Sequence, residues 1–154
     1  MPKIDISAVP VIASTGYPAC YAGVVKGRSK QRLGDAGGLS QFGVNLSRLK
    51  PGSASALRHW HQTEDEFVFV VSGALILVED SGETMLGAGE AAAFPAGAQN
   101  GHHLVNRSGK EAVYLEIGTR TAADKVTYTE AGVDLMAINE GGGWRYVRKD
   151  GTAW

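Results

Sequence analysis

All four histidines of this chain fall in two short clusters: His59 and His61 within Arg58-His-Trp-His-Gln-Thr-Glu-Asp-Glu66, and His102 and His103 within Gly101-His-His-Leu-Val-Asn106. Imidazole is the commonest metal-binding side chain in proteins, and a carboxylate follows five residues after His61, at Glu66. Neutral imidazoles with a carboxylate suit one divalent transition ion, whether iron, manganese, nickel, cobalt or zinc. Such an ion acts as a Lewis acid on oxygen-rich substrates or holds dioxygen. The spacing also indicates which element carries the ligands. Side chains alternate along a strand, so residues at i and i+2 share a face, about 7 Å apart. His59 and His61 therefore belong on a sheet, not on the helical turns of a His-Glu-x-x-His site.

The elements around them read as short strands. A chain of 154 residues suffices for one domain with its own core, and its 21 glycines are spread out as turn residues rather than gathered in a tract. Strand signals begin at Gln41, where Phe42, Val44 and Leu46 alternate with small or polar residues. Further strands are expected over 56–61, 66–71, 75–78, 91–94, 101–106 and 112–118, with a hairpin around Gly73 whose strands are covered on both faces. The segment Gly34-Asp-Ala-Gly-Gly38 reads as a loop. A single helical turn is expected near Thr121–Lys125, and no longer stretch shows a helical period. Many short strands punctuated by glycine and proline indicate a sandwich or barrel. The pattern weakens beyond Thr121, and residues 141–154 read as a tail docked through Trp144 and Trp154.

Composition excludes several roles. The net charge of −1 gives no electrostatic case for nucleic acid or an anionic membrane surface. The longest apolar stretch, 67–78, is interrupted by Ser72-Gly73 and is too short to span a bilayer. The N-terminus lacks a basic-then-apolar signal pattern. Cys20 stands alone, so no intrachain disulfide forms. The expectation is a cytoplasmic protein with a small-molecule ligand or substrate. Terminal segments that are aromatic yet lack a core pattern point to a homodimer in which they help cover the barrel.

In order and spacing, Gly52, His59, His61, Glu66 and Gly73 closely resemble the first cupin motif, and Gly89, Pro95-Ala-Gly97, His102 and Asn106 resemble the second. The interval from Gly52 to His59 is one residue longer than usual, and that from Gly97 to His102 about two longer. The longer second interval makes His103 the alternative to His102. The whole chain is similar to a group of small bacterial single-domain cupins through Gly43-Val-Asn, His59-Trp-His, Phe94-Pro-Ala-Gly, Gly101-His-His-Leu-Val-Asn-Arg, Leu115-Glu-Ile-Gly-Thr-Arg120 and Lys149-Asp-Gly. Some of that group carry the label sugar-phosphate isomerase. The resemblance implies an all-β cupin barrel (a double-stranded β-helix or jelly roll) over residues 41–120, with an N-terminal arm over 1–40 and a C-terminal extension over 121–154. It also implies a metal inside the barrel, held by His59, His61, Glu66 and His102.

Each signal has an ordinary reading beside it. A lone His-x-His is more often a packed pair than a ligand pair; Glu66 and the second motif tip the balance toward metal. His103 and Trp60 face away from the metal on a regular strand. Glu64 and Asp65 are nearby carboxylates whose expected role is to solvate the bend. Lys26, Arg28, Lys30 and Arg32 are read as a solvated run rather than an anion site. The functional expectation is a metalloenzyme acting on a small oxygenated metabolite, with isomerase, lyase or decarboxylase, and dioxygenase chemistry all open. The alternative is a non-catalytic binding or sensing barrel. No residue stands out in the sequence as the proton shuttle.

Overall fold

Along three neighbouring strands the inward-facing side chains change from polar to apolar, and this gradient positions the site. The computed structural model describes residues 3–154. Its strands are β1 (Arg28–Arg32), β2 (Phe42–Leu49), β3 (His59–His61), β4 (Glu66–Ser72), β5 (Ala74–Glu79), β6 (Gly82–Gly87), β7 (Ala91–Phe94), β8 (His103–Val105), β9 (Ala112–Thr119), β10 (Asp124–Tyr128), β11 (Met136–Asn139) and β12 (Trp144–Val147). One sheet has the order β1-β2-β9-β4-β7. The other wall is made of β12-β11-β10-β3 and β6-β5-β8, joined by a bridge between His59 and His102. Leu49, Val68, Val70, Ala112 and Tyr114 of the first sheet pack against Leu75, Leu77, Leu86 and Leu104 of the second wall. This is the all-β jelly-roll barrel that the motifs imply.

Cross-strand partners point to the same face. The inward row of β2 is Gly43, Asn45, Ser47 and Leu49, and its partners on β9 are Gly118, Glu116, Tyr114 and Ala112. Beside them β4 contributes Glu66, Val68 and Val70. Leu49, Ala112 and Val70 are fully buried and close one end of the barrel. Gly43 and Gly118 face each other without side chains and leave the other end open. The polar residues between them line the space that remains.

Several local expectations are corrected. Gly73 is not the turn of a hairpin: β4 and β5 belong to different sheets, and Gly73 carries the chain from one to the other at φ +79°. Nor is β4 covered on both faces, since its Phe67 and Val71 are 39% and 47% exposed. Residues 33–36 form one α-helical turn (α1) where a loop was expected, closed by the Gly37 N–H on the Leu33 carbonyl at 2.9 Å. Where a helical turn was expected near Thr121–Lys125, a bend leads into β10 at Asp124, and β10 pairs with β3. Val126, Thr127 and Tyr128 are β-branched or aromatic and suit that place. β11 and β12 escape notice in the sequence because their inward rows, Ala137 with Asn139 and Trp144 with Tyr146, mix polar and apolar residues.

The terminal segments pack on this same chain. The buried Gln31 donates through Nε2 to the carbonyls of Ile6 and Val9, each at 2.8 Å. Tyr17, Tyr21 and Val24 pack against Val126, Tyr128, Leu135 and Ala137. Trp154 donates its indole N–H to the Asp134 carbonyl at 3.0 Å and lies under the Arg148 guanidinium. Among the described residues, no helix is long and apolar enough to cross a membrane.

Candidate metal centre

β3 is only three residues long, yet it is held on both sides, and that fixes two imidazoles. His59 and His61 are the cross-strand partners of Tyr128 and Val126 on β10, while His59 also bridges to His102. Each ring is oriented through Nδ1. A carbonyl oxygen only accepts, so His59 Nδ1–H donates to Leu57 O at 2.8 Å. His61 Nδ1–H donates to the Asp124 carboxylate at 2.6 Å. Asp124 is itself buried and accepts from the Thr63 N–H at 2.8 Å and the Thr63 hydroxyl at 2.9 Å. His102 has its Nδ1 3.3 Å from Asn100 O and its ring stacked on Phe94, with centroids 3.6 Å apart.

The three Nε2 atoms converge on Glu66. They lie 3.7 Å (His59), 3.5 Å (His61) and 2.9 Å (His102) from its carboxylate oxygens. Every ring therefore faces an acceptor at both nitrogens, whereas a neutral imidazole carries a single N–H. Positive charge between the rings and Glu66, from protons or from a cation, satisfies the carboxylate and the facing nitrogens together. Ligand atoms of His59, His61 and Glu66 all lie within 4.8 Å of one another, the compactness a single ion requires. The electrostatics agree. Burial pushes the Glu66 carboxyl up, but the hydrogen bond with His102 and the imidazoles of His59 and His61 facing it outweigh that and hold Glu66 well below the ordinary carboxylate value. Burial likewise opposes protonation of His59, yet Glu66 beside it raises the imidazole above its ordinary value.

The other sequence candidates lie apart from this convergence. His103 points the opposite way, with Nδ1 2.8 Å from the Ala56 carbonyl and 3.7 Å from Glu130, and burial pulls its basicity down. Asp65 accepts from the Ala96 N–H at 2.8 Å. Glu64 accepts from the Thr121 N–H at 3.0 Å, and its other oxygen lies 3.8 Å from His61 Nδ1, so it does more than solvate a bend. Cys20 is exposed.

Four functional candidates were not legible in the sequence. Asp124 reaches His61 from a separate strand. Glu116 lines the same cleft as Glu66, and its carboxylate accepts from the Ser47 hydroxyl at 3.3 Å. Tyr114, one inward position deeper, has a buried hydroxyl with no hydrogen-bond partner among the described residues. Burial raises its phenol, and the Glu116 charge adds to that. Trp144, at the start of β12, lines the cleft and sets its ring edge-on to His61, with centroids 6.2 Å apart. The cleft has a volume of about 510 Å³. Alternation would have placed Glu116 and Tyr114 on one face, but not that this face is the site.

The cupin domain family model matches residues 45–118. A crystal structure of a sugar phosphate isomerase from a cupin superfamily, from Silicibacter pomeroyi, is 47% identical with a TM-score of 0.94, over 99% of this chain and 96% of that one. The chain belongs to the cupin superfamily. A second structure, from Acidithiobacillus ferrooxidans, carries the same activity as a provisional name; this cupin is 31% identical to it at a TM-score of 0.72, over 80% of this chain and 77% of that one. The polyketide cyclase RemF of Streptomyces resistomycificus, 23% identical with a TM-score of 0.62 over 77% of this chain and 79% of that one, shares the fold. No curated protein matches this cupin. His59, His61, Glu66, His102 and Glu116 fall inside the matched stretch, whereas Asp124 and Trp144 come from strands this chain adds beyond it.

Proposed function

We propose that this protein is a metal-dependent cupin enzyme, with one divalent transition ion held by His59, His61, Glu66 and His102, acting on a small oxygenated metabolite. The observation that carries this reading is the double acceptor environment of the three imidazoles: each Nδ1 faces a carbonyl or carboxylate while each Nε2 faces Glu66. A divalent ion resolves that frustration and lets the rings stay neutral. When bound, it supplies Lewis-acid polarisation of a carbonyl or hydroxyl oxygen.

The chain's own residues provide what remains. Asp124 and the Leu57 carbonyl keep the protons of His61 and His59 on Nδ1, so that Nε2 stays a donor lone pair. Glu116 is free of the cluster and lines the cleft, so it can accept or return a proton beside the bound metabolite. Trp144 walls the cleft beside His61. Isomerase chemistry, in keeping with the names of the two more similar structures, is served by this combination of polarising centre and proton-transfer carboxylate. The proposal extends to a cytoplasmic homodimer. In support, the outer face of the first sheet presents Phe42, Phe67 and Val71, each at least 39% exposed.

The test is metal analysis of the purified protein and of His59→Ala, His61→Ala, Glu66→Ala, His102→Ala and His103→Ala, with turnover assayed over sugar phosphates, hydroxy acids and oxo acids, with and without oxygen. Metal is expected to be lost from the first four variants and retained by His103→Ala, and turnover to follow the metal. Tight metabolite binding without turnover in any metal form would favour the sensing barrel instead.

A further inference from the structure

The cleft over the Glu66 cluster carries both signs of charge. Glu64, Glu66 and Glu116 line it together with Lys30, Arg32 and Arg120, and in the sheet order the strand of Lys30 and Arg32 lies two strands from Glu116 on β9 and three from Glu66 on β4. Strand register puts these cations there by design of the fold rather than by chance solvation. Lys30 and Arg32 are the partners of Ser47 and Asn45 on β2, which belong to its inward row. β1 is an edge strand, so its long inward side chains stand at the rim of the opening. Arg120 follows the end of β9 and lies over Gly43, where an added Cβ would come 3.5 Å from its Nη2. Asp35 on α1 pairs with Arg120 and lies 3.8 Å from Arg32, which gathers the two guanidinium groups. Lys30 has no carboxylate partner among the described residues.

We propose that Lys30, Arg32 and Arg120 seat the phosphate of a phosphorylated ligand whose neutral oxygenated end reaches the Glu66 cluster, an assignment that rests on the metal-enzyme reading above. Charge decides the class. Three cations with one shared carboxylate leave about two positive charges, which match a phosphate monoester. Guanidinium forks and a lysine ammonium are the groups that recognise such an oxyanion. Toward Glu66 a second anion is disfavoured, because Glu64 and Glu116 line the cleft along with Glu66. A dicarboxylate would meet that repulsion, whereas hydroxyl and carbonyl oxygens would not. A cleft of about 510 Å³ is the size that small-molecule ligands occupy.

The proposal is tested by calorimetric titration of the purified protein with inorganic phosphate, ribose 5-phosphate, ribose and ribonate, alongside its metal content. Ribose 5-phosphate is expected to bind at least about tenfold more tightly than ribose or ribonate, because hydrogen bonds to charged groups are the strong ones. Lys30→Ala and Arg32→Ala should each remove about tenfold of that affinity while leaving ribose binding, metal content and thermal stability as in the parent. Among the described residues the Lys30 side chain has no ion-pair or hydrogen-bond partner, and its backbone pairing with Ser47 does not depend on it. The proposal is overturned if neither phosphate compound binds below about 10 mM, if ribonate binds as well as ribose 5-phosphate, or if the two variants bind ribose 5-phosphate like the parent. The two readings fail separately. A protein without metal that still discriminates phosphate through Lys30 retains the seat and loses the metal enzyme; a metal-loaded protein indifferent to phosphate does the reverse.

Discussion

Replacing Asp124 by asparagine isolates the contribution of the orienting carboxylate from that of the ligands themselves. Asp124 accepts three hydrogen bonds in a buried place, from His61 Nδ1–H at 2.6 Å, the Thr63 N–H at 2.8 Å and the Thr63 hydroxyl at 2.9 Å. Asparagine keeps the shape but has one oxygen and one NH2 group. If the oxygen faces Thr63, the NH2 points at His61 Nδ1 and drives the imidazole proton to Nε2, the atom that faces Glu66. If the oxygen faces His61, the NH2 confronts the Thr63 N–H, donor against donor. Loss of an outer-shell partner of a metal-bound histidine costs about 10- to 100-fold in metal affinity, or about 1.4–2.7 kcal/mol. The metal-free protein loses about 1–3 kcal/mol for the unsatisfied buried group. Competition with a chromophoric chelator measures the first quantity, and denaturant unfolding of the metal-free protein the second. Metal affinity of Asp124→Asn within about twofold of the parent would refute the reasoning, because His61 would then need no help in presenting Nε2.

Three further outcomes are expected. In the metal-free protein, Glu66 is depressed well below its ordinary 4.5 and His59 raised above its ordinary 6.5. The Glu66 contribution is complete above its unfolded value and fades as pH falls through the depressed one, while that of His59 is complete below its unfolded value and fades as pH rises through the raised one. Unfolding free energy relative to Glu66→Gln should therefore be greatest between about pH 4.5 and 6.5 and narrow on both sides. Gly73→Ala places a Cβ at φ +79° and 3.0 Å from Ala112 Cα, so it should destabilise by about 2 kcal/mol or more, read as a lower denaturant midpoint. Sedimentation should show a dimer that Phe67→Glu separates into monomers; a monomeric parent would remove the proposed assembly.

Much of the candidate site was legible in the chain before folding. The i, i+2 spacing of His59 and His61, the carboxylate at Glu66 and the second histidine cluster carried chemistry and strand parity together, because side-chain alternation is a local property of extended backbone. The many glycine-bounded strands gave the all-β class for the same local reason. Parity also turned His103 to the other side of its strand from His102. What the tertiary structure decided was everything that depends on which strands meet. Asp124 becomes the partner of His61 only because β10 pairs with β3 across 63 positions of sequence. Gly73 reads as a hairpin turn from its neighbours, yet it joins two sheets, since pairing is chosen by distant strands. Lys30 and Arg32 look like a solvated run in the sequence. They line the cleft because β1 adds to the edge of β2 in the register that turns them inward, and no pattern within five residues contains that register.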